Sequence, residues 1–359
     1  MFELLVKISG GESYYPIVVK NNPIENLREE IFEIIGKKNY LVVISEKVFK
    51  LYGKILRFPK NNLFILKDGE KEKNFKTYKK ILEKALKLRL TRSDCIIAVG
   101  GGVCGDIAGF AASTYMRGIN LIQIPTTLLA CVDSSVGGKT GIDTAFGKNL
   151  VVSFYQPSVV LINTNFLKTL DERQFKTGMG EVVKYAFIEK SCKCEEEFNL
   201  INFLSLNSDR ILARENDVLK ELIRMCVSLK ISVVEKDEKE GGLRKILNFG
   251  HTYAHAVENL TKYKKYTHGE AVVKGIEFAF EFAQKRGLIV ESYKFIAYDL
   301  MRKYNFKNIP NFDIKKIVNV MKMDKKAEAD SIVFILPVEC AEVQEYRLFD
   351  EDVFKCFDK

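Results

Sequence analysis

The sequence predicts an α/β domain built on a parallel sheet over residues 1–170 and a mainly α-helical domain over residues 171–359. In the first half, short apolar runs alternate with amphipathic stretches, which is the pattern of successive strand–helix–strand units. In the second half, long amphipathic stretches dominate, and a single apolar run at residues 332–336 is typical of a strand. A chain of this length suits about two domains, and we expect the functional site in the cleft between them.

Five short runs rich in branched apolar residues predict the strands of the parallel sheet. They lie at residues 40–44, 63–66, 95–99, 121–124 and 159–162. Stretches with helical periodicity separate them at residues 26–36, 72–90 and 104–113. In the second half, the same periodicity predicts helices at residues 171–189, 210–236, 269–286, 291–304 and 313–322.

The net charge of +9 does not by itself indicate a nucleic-acid partner. The lysines are interleaved with acidic residues, as at 67–80, and the sequence has no helix-turn-helix, RNP or zinc-finger pattern. No apolar run approaches the roughly 20 residues of a membrane-spanning helix, and the first residues lack the features of a signal peptide. The eight cysteines form no C-x-x-C pair. We therefore expect a cytoplasmic protein with reduced thiols, without a membrane or nucleic-acid partner.

Residues 95–106, CIIAVGGGVCGD, run from an apolar strand through a cluster of glycines into a helical stretch. Glycines at such a turn allow backbone N–H groups to approach a phosphate, and the helix N-terminus adds positive partial charge. Asp106 suits either the cap of that helix or a hydrogen bond with a ribose hydroxyl. A tight turn without a ligand is the alternative here, because the spacing is not the usual G-x-G-x-x-G.

The glycine-rich segment at residues 124–150 strengthens the case for an anionic ligand. Thr126 and Thr127 follow an apolar strand, and several charged or amide side chains come after them, namely Asp133, Lys139, Lys148 and Asn149. This composition is unsuitable for a core and typical of a loop that binds an anion, although a solvated loop is the alternative.

All three histidines of the chain, His251, His255 and His268, fall within one short stretch. His251 and His255 are four residues apart, so on a helix they lie on one face. A divalent metal needs a further ligand, and Glu181 is the best candidate, with Lys184 three residues beyond it. Two histidines and a carboxylate leave coordination positions open, as in catalytic metal sites. The alternative is an H-x-x-x-H pair that supplies two ligands in tandem, although the glutamate of H-E-x-x-H is absent.

Seven motifs spread over most of the chain are specific when taken together. They are GGGVCGDIAGFAASTYMRG (100–118), QIPTTLLACVDSSVGGKTGID (123–143), GKN (147–149), FLKTL (166–170), GEVVKY (180–185), LNFGH (247–251) and HGEAV (268–272). Through these motifs the sequence resembles the 3-dehydroquinate synthases, which belong to the sugar phosphate cyclase superfamily. The resemblance implies the dehydroquinate synthase-like fold, with a Rossmann-like NAD-binding domain followed by a helical domain that binds metal and substrate. It also implies catalytic NAD, one divalent metal (zinc or cobalt) and a homodimer.

Carried over position by position, the resemblance implies functional residues of three kinds. The implied metal ligands are Glu181, His251 and His268. The implied contacts to NAD are Asp68, Gly69, Glu70, Lys71, Glu72, Lys73, Gly102, Val103, Cys104, Gly105, Asp106, Thr126, Thr127, Lys139, Lys148, Phe166, Leu167, Lys168 and Thr169. The implied catalytic and substrate-binding residues are Arg117, Asp133, Lys139, Asn149, Lys184, Lys230, Arg244, Asn248, His255 and Lys326, with Lys325 as the alternative to Lys326. Ser45 departs from the family, where an Asp or Asn usually contacts the adenosine ribose.

The implied reaction converts 3-deoxy-D-arabino-heptulosonate 7-phosphate into 3-dehydroquinate and phosphate, a step of the shikimate pathway toward chorismate and the aromatic amino acids. Oxidation at C4 makes the C5 proton acidic, phosphate leaves by elimination, the hydride returns to C4, and an internal aldol step closes the ring. The resemblance places the phosphate near Arg117, Lys139 and Lys148 or Asn149, and the carboxylate near Lys230 and Arg244.

Three other functions are compatible with parts of this pattern. Another sugar phosphate cyclase would share the NAD and metal motifs but would lack the residues that bind a carboxylate. A metal-dependent alcohol or glycerol dehydrogenase would release reduced cofactor, and it does not explain the density of lysines and arginines. A non-catalytic binding or scaffold protein does not explain the set of Glu181, His251 and His268.

Overall fold

The computed structural model describes residues 1–8, 13–322 and 331–357. The chain forms two compact units, and each consists of two segments. The first unit contains Met1–Asp171 and Asn216–Ile231, and the second contains Glu172–Glu215 and Ser232–Lys359. Across the described ranges, no helix combines the length and the apolar character that a membrane span requires.

A seven-stranded sheet forms the centre of the first unit, with the order β1-β2-β9-β6-β5-β3-β4. Its strands are β1 (Phe2–Ile8), β2 (Ser13–Lys20), β3 (Tyr40–Ser45), β4 (Leu63–Leu66), β5 (Cys95–Gly100), β6 (Asn120–Pro125) and β9 (Val159–Asn163). The edge strand β1 pairs antiparallel with β2, and every other pairing in the sheet is parallel. The five strands predicted from apolar runs are all present, and the predicted parallel sheet is confirmed.

Helices cover both faces of this sheet, which explains why its central strands are apolar at successive positions. On β3, Val42 and Ile44 point into one core cluster, whereas Leu41 and Val43 point into the other. Each fully buried side chain of this kind contributes about 1.5–3 kcal/mol relative to an exposed one. The first cluster packs against α1 (Leu27–Ile35) and α2 (Glu46–Leu56), and the second against α3 (Phe75–Lys87) and α4 (Gly102–Thr114).

The strand order reverses between β3 and β5. From β3 the chain passes outward to β4, and it then returns to form β5, β6 and β9 on the other side of β3. Ligands of open α/β sheets bind outside the carboxyl ends of the strands at such a switch point. Ser45 ends β3 and Gly100 ends β5, so the glycine-rich turn lies at this position.

A β-hairpin replaces part of the loop that the glycine-rich composition predicted. Its strands are β7 (Lys139–Thr144) and β8 (Gly147–Phe154). Gly138 enters the hairpin with a φ of 67°, and a Cβ on Gly141 would lie 2.8 Å from the carbonyl oxygen of Val151. The glycines therefore serve close backbone packing and a left-handed turn, which composition alone does not distinguish from a loop.

The second unit is mainly helical, as predicted. Its described helices are α5 (Glu172–Ile188), α6 (Leu200–Leu206), α7 (Ser208–Leu212), α9 (His251–Leu260), α10 (His268–Lys285), α11 (Glu291–Lys303), α12 (Ile314–Lys322) and α13 (Asp350–Phe357). The helix α8 (Asn216–Lys236) begins in the first unit and ends in the second. A hairpin of β10 (Ile332–Glu339) and β11 (Glu342–Leu348) contains the predicted strand at 332–336.

Candidate functional site

Three side chains of the second unit converge on one point. Glu181 of α5, His251 of α9 and His268 of α10 each offer a ligand atom, and these atoms all lie within 4.8 Å of one another. The Nε2 atoms of His251 and His268 lie 3.5 and 3.3 Å from Oε1 of Glu181. Two imidazole nitrogens and one carboxylate at this spacing form a donor set suited to a catalytic divalent metal.

Pairs of glycines allow the three helices to approach closely enough to form this cluster. A Cβ on Gly180 of α5 would lie 2.5 Å from the carbonyl oxygen of Gly269, and a Cβ on Gly269 would collide with the backbone of Thr177. A Cβ on Gly275 of α10 would similarly meet the carbonyl of Gly250, the residue before α9. The helix backbones therefore touch directly, which places Glu181 beside both histidines.

The start of α10 is fixed by a capping box, which positions His268 at its first residue. The side chain of Thr267 accepts from the backbone N–H of Glu270, and the carboxylate of Glu270 accepts from the backbone N–H of Thr267. Arg173 of α5 donates to both oxygens of Glu270, at 3.1 and 3.0 Å. This two-pronged contact joins α10 to the helix that carries Glu181.

The electrostatics of the cluster keep Glu181 ionised. Burial alone would raise the pKa of Glu181, but the adjacent ammonium of Lys184 and then the two imidazoles lower it well below its ordinary value. Burial lowers the pKa of His251 to about 3, so its ring is neutral. Burial opposes protonation of His268 too, but hydrogen bonds with Glu181 and Glu258 raise its pKa to about 10. Glu181 is thus an anion beside a neutral His251 and a protonated His268, and a metal that binds Nε2 of His268 must displace the proton on that atom.

The carboxylate of Glu181 fits a metal in a second respect. The residue is 1% exposed, its Oε2 lies beside the ammonium of Lys184, and its Oε1 faces Nε2 of both histidines. A buried carboxylate is costly unless charged or polar partners surround it, and a divalent ion bound with the two histidines would be a further partner of this kind. The residues present therefore fit a divalent ion.

The other predicted residues of the second unit that the structure describes lie on α5, on α9 and on the turn Leu243–Asn248. Lys184 is 1% exposed and lies beside Oε2 of Glu181, and the ring of His255 meets that of His251 edge-on at 5.6 Å. Arg244 and Asn248 lie on the turn Leu243–Asn248. The guanidinium of Arg244 donates to the carbonyl of Glu238, and Asn248 donates to the carboxylate of Glu240 at 3.1 Å. Lys326, like its alternative Lys325, lies outside the described residues.

The glycine-rich turn of the first unit leaves no room for side chains. A Cβ on Gly101 would lie 3.0 Å from Thr127, and one on Gly102 would lie 3.1 Å from Oγ of Ser134. A Cβ on Gly105 would lie 2.8 Å from Gln123. The first turn of α4 therefore presents backbone N–H groups, which suits the phosphates of a dinucleotide. The predicted residues Val103 and Cys104 belong to the same turn, and Thr126 donates its N–H to Gly100.

The buried side chain of Lys73 contacts two other predicted residues of the first unit. The Nζ of Lys73 lies 2.6 Å from Oδ2 of Asp106 and 2.6 Å from Oδ1 of Asn149, and Lys73 is 3% exposed. The carboxylate of Asp143 accepts the backbone N–H of Asn149, whose φ is 51°. Asn149 is therefore held beside the turn that the sequence assigns to the nucleotide.

The remaining predicted residues of the first unit are spread over several helices, strands and connections. Lys230 of α8 is 4% exposed and donates to Asp133, with Nζ 2.6 Å from Oδ1. Lys148 lies 3.7 Å from Glu70, and Thr169 shares a hydrogen bond with Tyr52. The buried predicted residues are Phe166 and Leu167, and the exposed ones are Asp68, Gly69, Lys71, Arg117, Lys139 and Lys168. Glu72 is half-buried.

Comparison with known proteins finds matches to one family in both parts of the chain. Residues 63–177 match the sequence model of the 3-dehydroquinate synthase N-terminal region, and residues 178–327 match that of its C-terminal region. The chain belongs to the 3-dehydroquinate synthase family. The resemblance seen in the sequence motifs is therefore confirmed, and so is the assignment as a lyase acting on a phosphate.

Relatives within the 3-dehydroquinate synthase family cover most of the chain. The 3-dehydroquinate synthase of Alkaliphilus metalliredigens is 47% identical over 290 residues, which is 80% of each chain. That of Prochlorococcus marinus subsp. pastoris is 38% identical over 361 residues, which is 98% of each chain. Among solved structures, 2-deoxy-scyllo-inosose synthase complexed with carbaglucose-6-phosphate, NAD+ and Co2+ superposes with a TM-score of 0.83 at 26% identity, covering 99% of this chain and 98% of its own. The predicted 3-dehydroquinate synthase-like fold is confirmed.

Glu258 is a residue of this site that the sequence analysis missed. Its Oε1 lies 3.3 Å from Nδ1 of His268. A signal was available, because His251, His255 and Glu258 are spaced four and then three residues apart, which places them on one face of α9. The contact between Lys73 and Asn149 was also missed, and no local pattern reveals it.

Proposed function

We propose that this chain converts 3-deoxy-D-arabino-heptulosonate 7-phosphate into 3-dehydroquinate and phosphate in the shikimate pathway. The cluster of Glu181, His251 and His268, in a chain that matches both parts of the 3-dehydroquinate synthase family, is the observation that carries this proposal. This chemistry also requires a dinucleotide, and the glycine turn at the carboxyl end of β5 supports the binding of one.

The proposed cofactors are NAD and one zinc or cobalt ion. The donor set of two imidazoles and a carboxylate suits either metal, and the solved 2-deoxy-scyllo-inosose synthase holds NAD+ and Co2+. When bound, NAD would accept a hydride from C4 of the substrate and later return it. The metal would act as a Lewis acid toward substrate oxygens.

Lysines and arginines of the chain are proposed to hold the two anionic groups of the substrate. The phosphate would be bound by Arg117, Lys139 and Lys148 or Asn149, where positive charge stabilises it as a leaving group. The carboxylate would be bound by Arg244 and Lys230, and the planar guanidinium matches a carboxylate with two parallel hydrogen bonds. The backbone N–H of Arg244 donates to Asp237 at 2.8 Å, which fixes the base of this side chain.

Lys184 and His255 are proposed to act near the metal ligands. The ammonium of Lys184 lies beside Glu181 and keeps that carboxylate ionised, so Glu181 is ready to bind a cation. His255 lies one helical turn from His251, and its imidazole nitrogen is proposed to exchange a proton with a substrate hydroxyl. We further propose that the enzyme works as a homodimer in the cytoplasm; no disulfide joins any of its eight cysteines, which supports a reducing compartment.

The deciding experiment measures phosphate release from 3-deoxy-D-arabino-heptulosonate 7-phosphate with NAD and either Zn²⁺ or Co²⁺, while absorbance reports net NADH. We expect phosphate release without net NADH, and we expect a chelator to abolish it. NADH accumulation on simple polyols without phosphate release would instead indicate a dehydrogenase. Turnover only of sugar phosphates that lack the carboxylate would indicate another cyclase.

A further inference from the structure

His251 and His268 present the same ring atom to Glu181, but their other ring nitrogens, Nδ1, lie against different acceptors. His251 Nδ1 lies 3.1 Å from the carbonyl oxygen of Phe249, which is a neutral acceptor. His268 Nδ1 lies 3.3 Å from Oε1 of Glu258, which is a carboxylate. In both cases Nε2 is the nitrogen that faces Glu181.

We propose that Glu258 is a positioning residue that holds the Nδ1–H of His268 and so commits Nε2 of that ring to the metal. The inference rests on the proposed metal-dependent function and adds a residue to it. An acceptor on Nδ1 requires the hydrogen on that atom, which leaves the lone pair on Nε2 for coordination. An acceptor that carries charge also makes the imidazole a stronger donor to a cation.

The burial of Glu258 suits a positioning role better than it suits a surface ion pair. Its side chain is 10% exposed, whereas that of His268 is 32% exposed. The imidazole of His268 therefore has solvent available on one side and needs a fixed partner to keep its orientation. Glu258 shares a face of α9 with His251 and His255, so the helix that supplies one ligand also orients another.

The contrast with His251 indicates why His268 needs a side-chain partner. His251 is held by a backbone carbonyl two residues before it, within the close contact of α9 and α10 that Gly250 and Gly275 allow. His268 is the first residue of α10, and the capping box fixes its backbone without contacting its ring. Side chains of other elements contact that ring, and among the described residues Glu258 is the one whose carboxylate lies against its Nδ1.

The test measures metal affinity of the full-length chain without NAD or substrate. Metal is removed by chelation, and Co²⁺ is titrated by calorimetry and by visible absorption, for the parent, Glu258→Ala and Glu258→Gln. Glu189→Gln is the matched control, because this half-buried glutamate in the same unit caps α6 through the N–H of Leu200. Thermal unfolding of the metal-free proteins separates a structural effect from a loss of positioning.

We expect Glu258→Ala to weaken Co²⁺ binding by about 10- to 100-fold and to change the visible spectrum of bound Co²⁺. Glu258→Gln should lose less affinity, because its amide oxygen still accepts the Nδ1–H, and Glu189→Gln should match the parent. Affinity and spectrum of Glu258→Ala equal to those of the parent would overturn the proposal. If Glu258→Ala does not fold, Glu258→Gln decides, since an affinity and spectrum of Glu258→Gln equal to those of the parent would overturn the proposal as well. Because no turnover is measured, a failed phosphate assay would contradict the proposed function without affecting this result.

Discussion

Gly180 of α5 lies so close to Gly269 of α10 that a Cβ on Gly180 would be 2.5 Å from the carbonyl oxygen of Gly269. The obstructing atom belongs to backbone, so it cannot move aside as a flexible side chain can. The predicted metal ligand Glu181 immediately follows Gly180, and His268, another predicted ligand, immediately precedes Gly269. The separation of the two helices therefore sets the separation of these two predicted ligands.

We predict that Gly180→Ala weakens metal binding by separating α5 from α10. Overpacking of this kind costs about 1–3 kcal/mol, which outweighs or cancels the gain of about 1 kcal/mol from alanine in a helix. Calorimetric titration with Zn²⁺ and urea unfolding measure the two effects. Gly53→Ala in α2 is the control, because its new Cβ would meet only the ring of Phe49, which can rotate. Unchanged metal affinity in Gly180→Ala would contradict the importance of this contact.

His268→Ala should remove bound metal and activity together, whereas His255→Ala should lose activity and keep its metal. The reason is that the ring of His268 faces Glu181 within 3.3 Å, while His255 is proposed only to relay a proton. Metal content after dialysis, measured by atomic emission, distinguishes the two. Retention of a full equivalent of metal by His268→Ala would exclude it as a ligand.

We predict that Lys73→Met destabilises the first unit by about 2 kcal/mol. A buried pair that loses one partner costs about 3–5 kcal/mol, and the 23% exposure of the Asp106 side chain reduces that loss. Urea unfolding gives the value, and the double variant Lys73→Met/Asp106→Asn should recover part of it. Lys47→Met is the control, because its partner Asp171 is 45% exposed, and we expect a change of only about 0–1 kcal/mol. Equal effects of the two substitutions would contradict the prediction.

Arg244→Ala should raise the KM for substrate by about 10- to 100-fold, because a charged hydrogen bond contributes about 1.5–3 kcal/mol. The affinity for NAD, measured without substrate, should change little. The neighbouring Lys245→Ala removes a lysine that contacts Glu345 at 3.2 Å and serves as the control. An unchanged KM in Arg244→Ala would exclude its proposed contact with the substrate carboxylate.

Asp94 should make part of the stability depend on pH. Burial alone would raise its pKa, but hydrogen bonds from Thr91 and Asn39, at 2.7 to 2.9 Å, lower it below the ordinary value. Because the pKa of Asp94 is lower in the folded state, its contribution to the free energy of unfolding is fully present above the unfolded pKa of about 3.9. That contribution is lost as the pH falls through the pKa of the folded state. Asp94→Asn should therefore cost about 1.5–3 kcal/mol at neutral pH.

Urea unfolding of the parent and of Asp94→Asn at a series of pH values checks this prediction. The difference between their free energies of unfolding should shrink as the pH is lowered below about 4. A difference that stays constant over that range would mean that Asp94 does not stabilise the folded state through its charge.

Some features of the fold follow from local sequence alone. The strands at 40–44 and 95–99 are confirmed because strands buried on both faces must be apolar at every position, and few other elements are. The concentration of histidines predicted a metal or catalytic cluster, and the resemblance to the family implied its ligands. The structure brings Glu181, His251 and His268 together, although their role as ligands stays a prediction. The hairpin β7–β8 was not predicted, because glycines that permit close packing have the same composition as those of a loop.

The sequence by itself determined the order of the elements, the family and the residue types available to a metal and a dinucleotide. Only the tertiary structure decided which of these residues meet. Lys73 contacts both Asp106 and Asn149, and Glu258 contacts Nδ1 of His268. These contacts join residues of separate elements. The physical reason is that periodicity reports which face of an element is buried, whereas the partner on that face depends on how helices and strands pack. In this protein that packing is controlled by backbone contacts at Gly180 and Gly269.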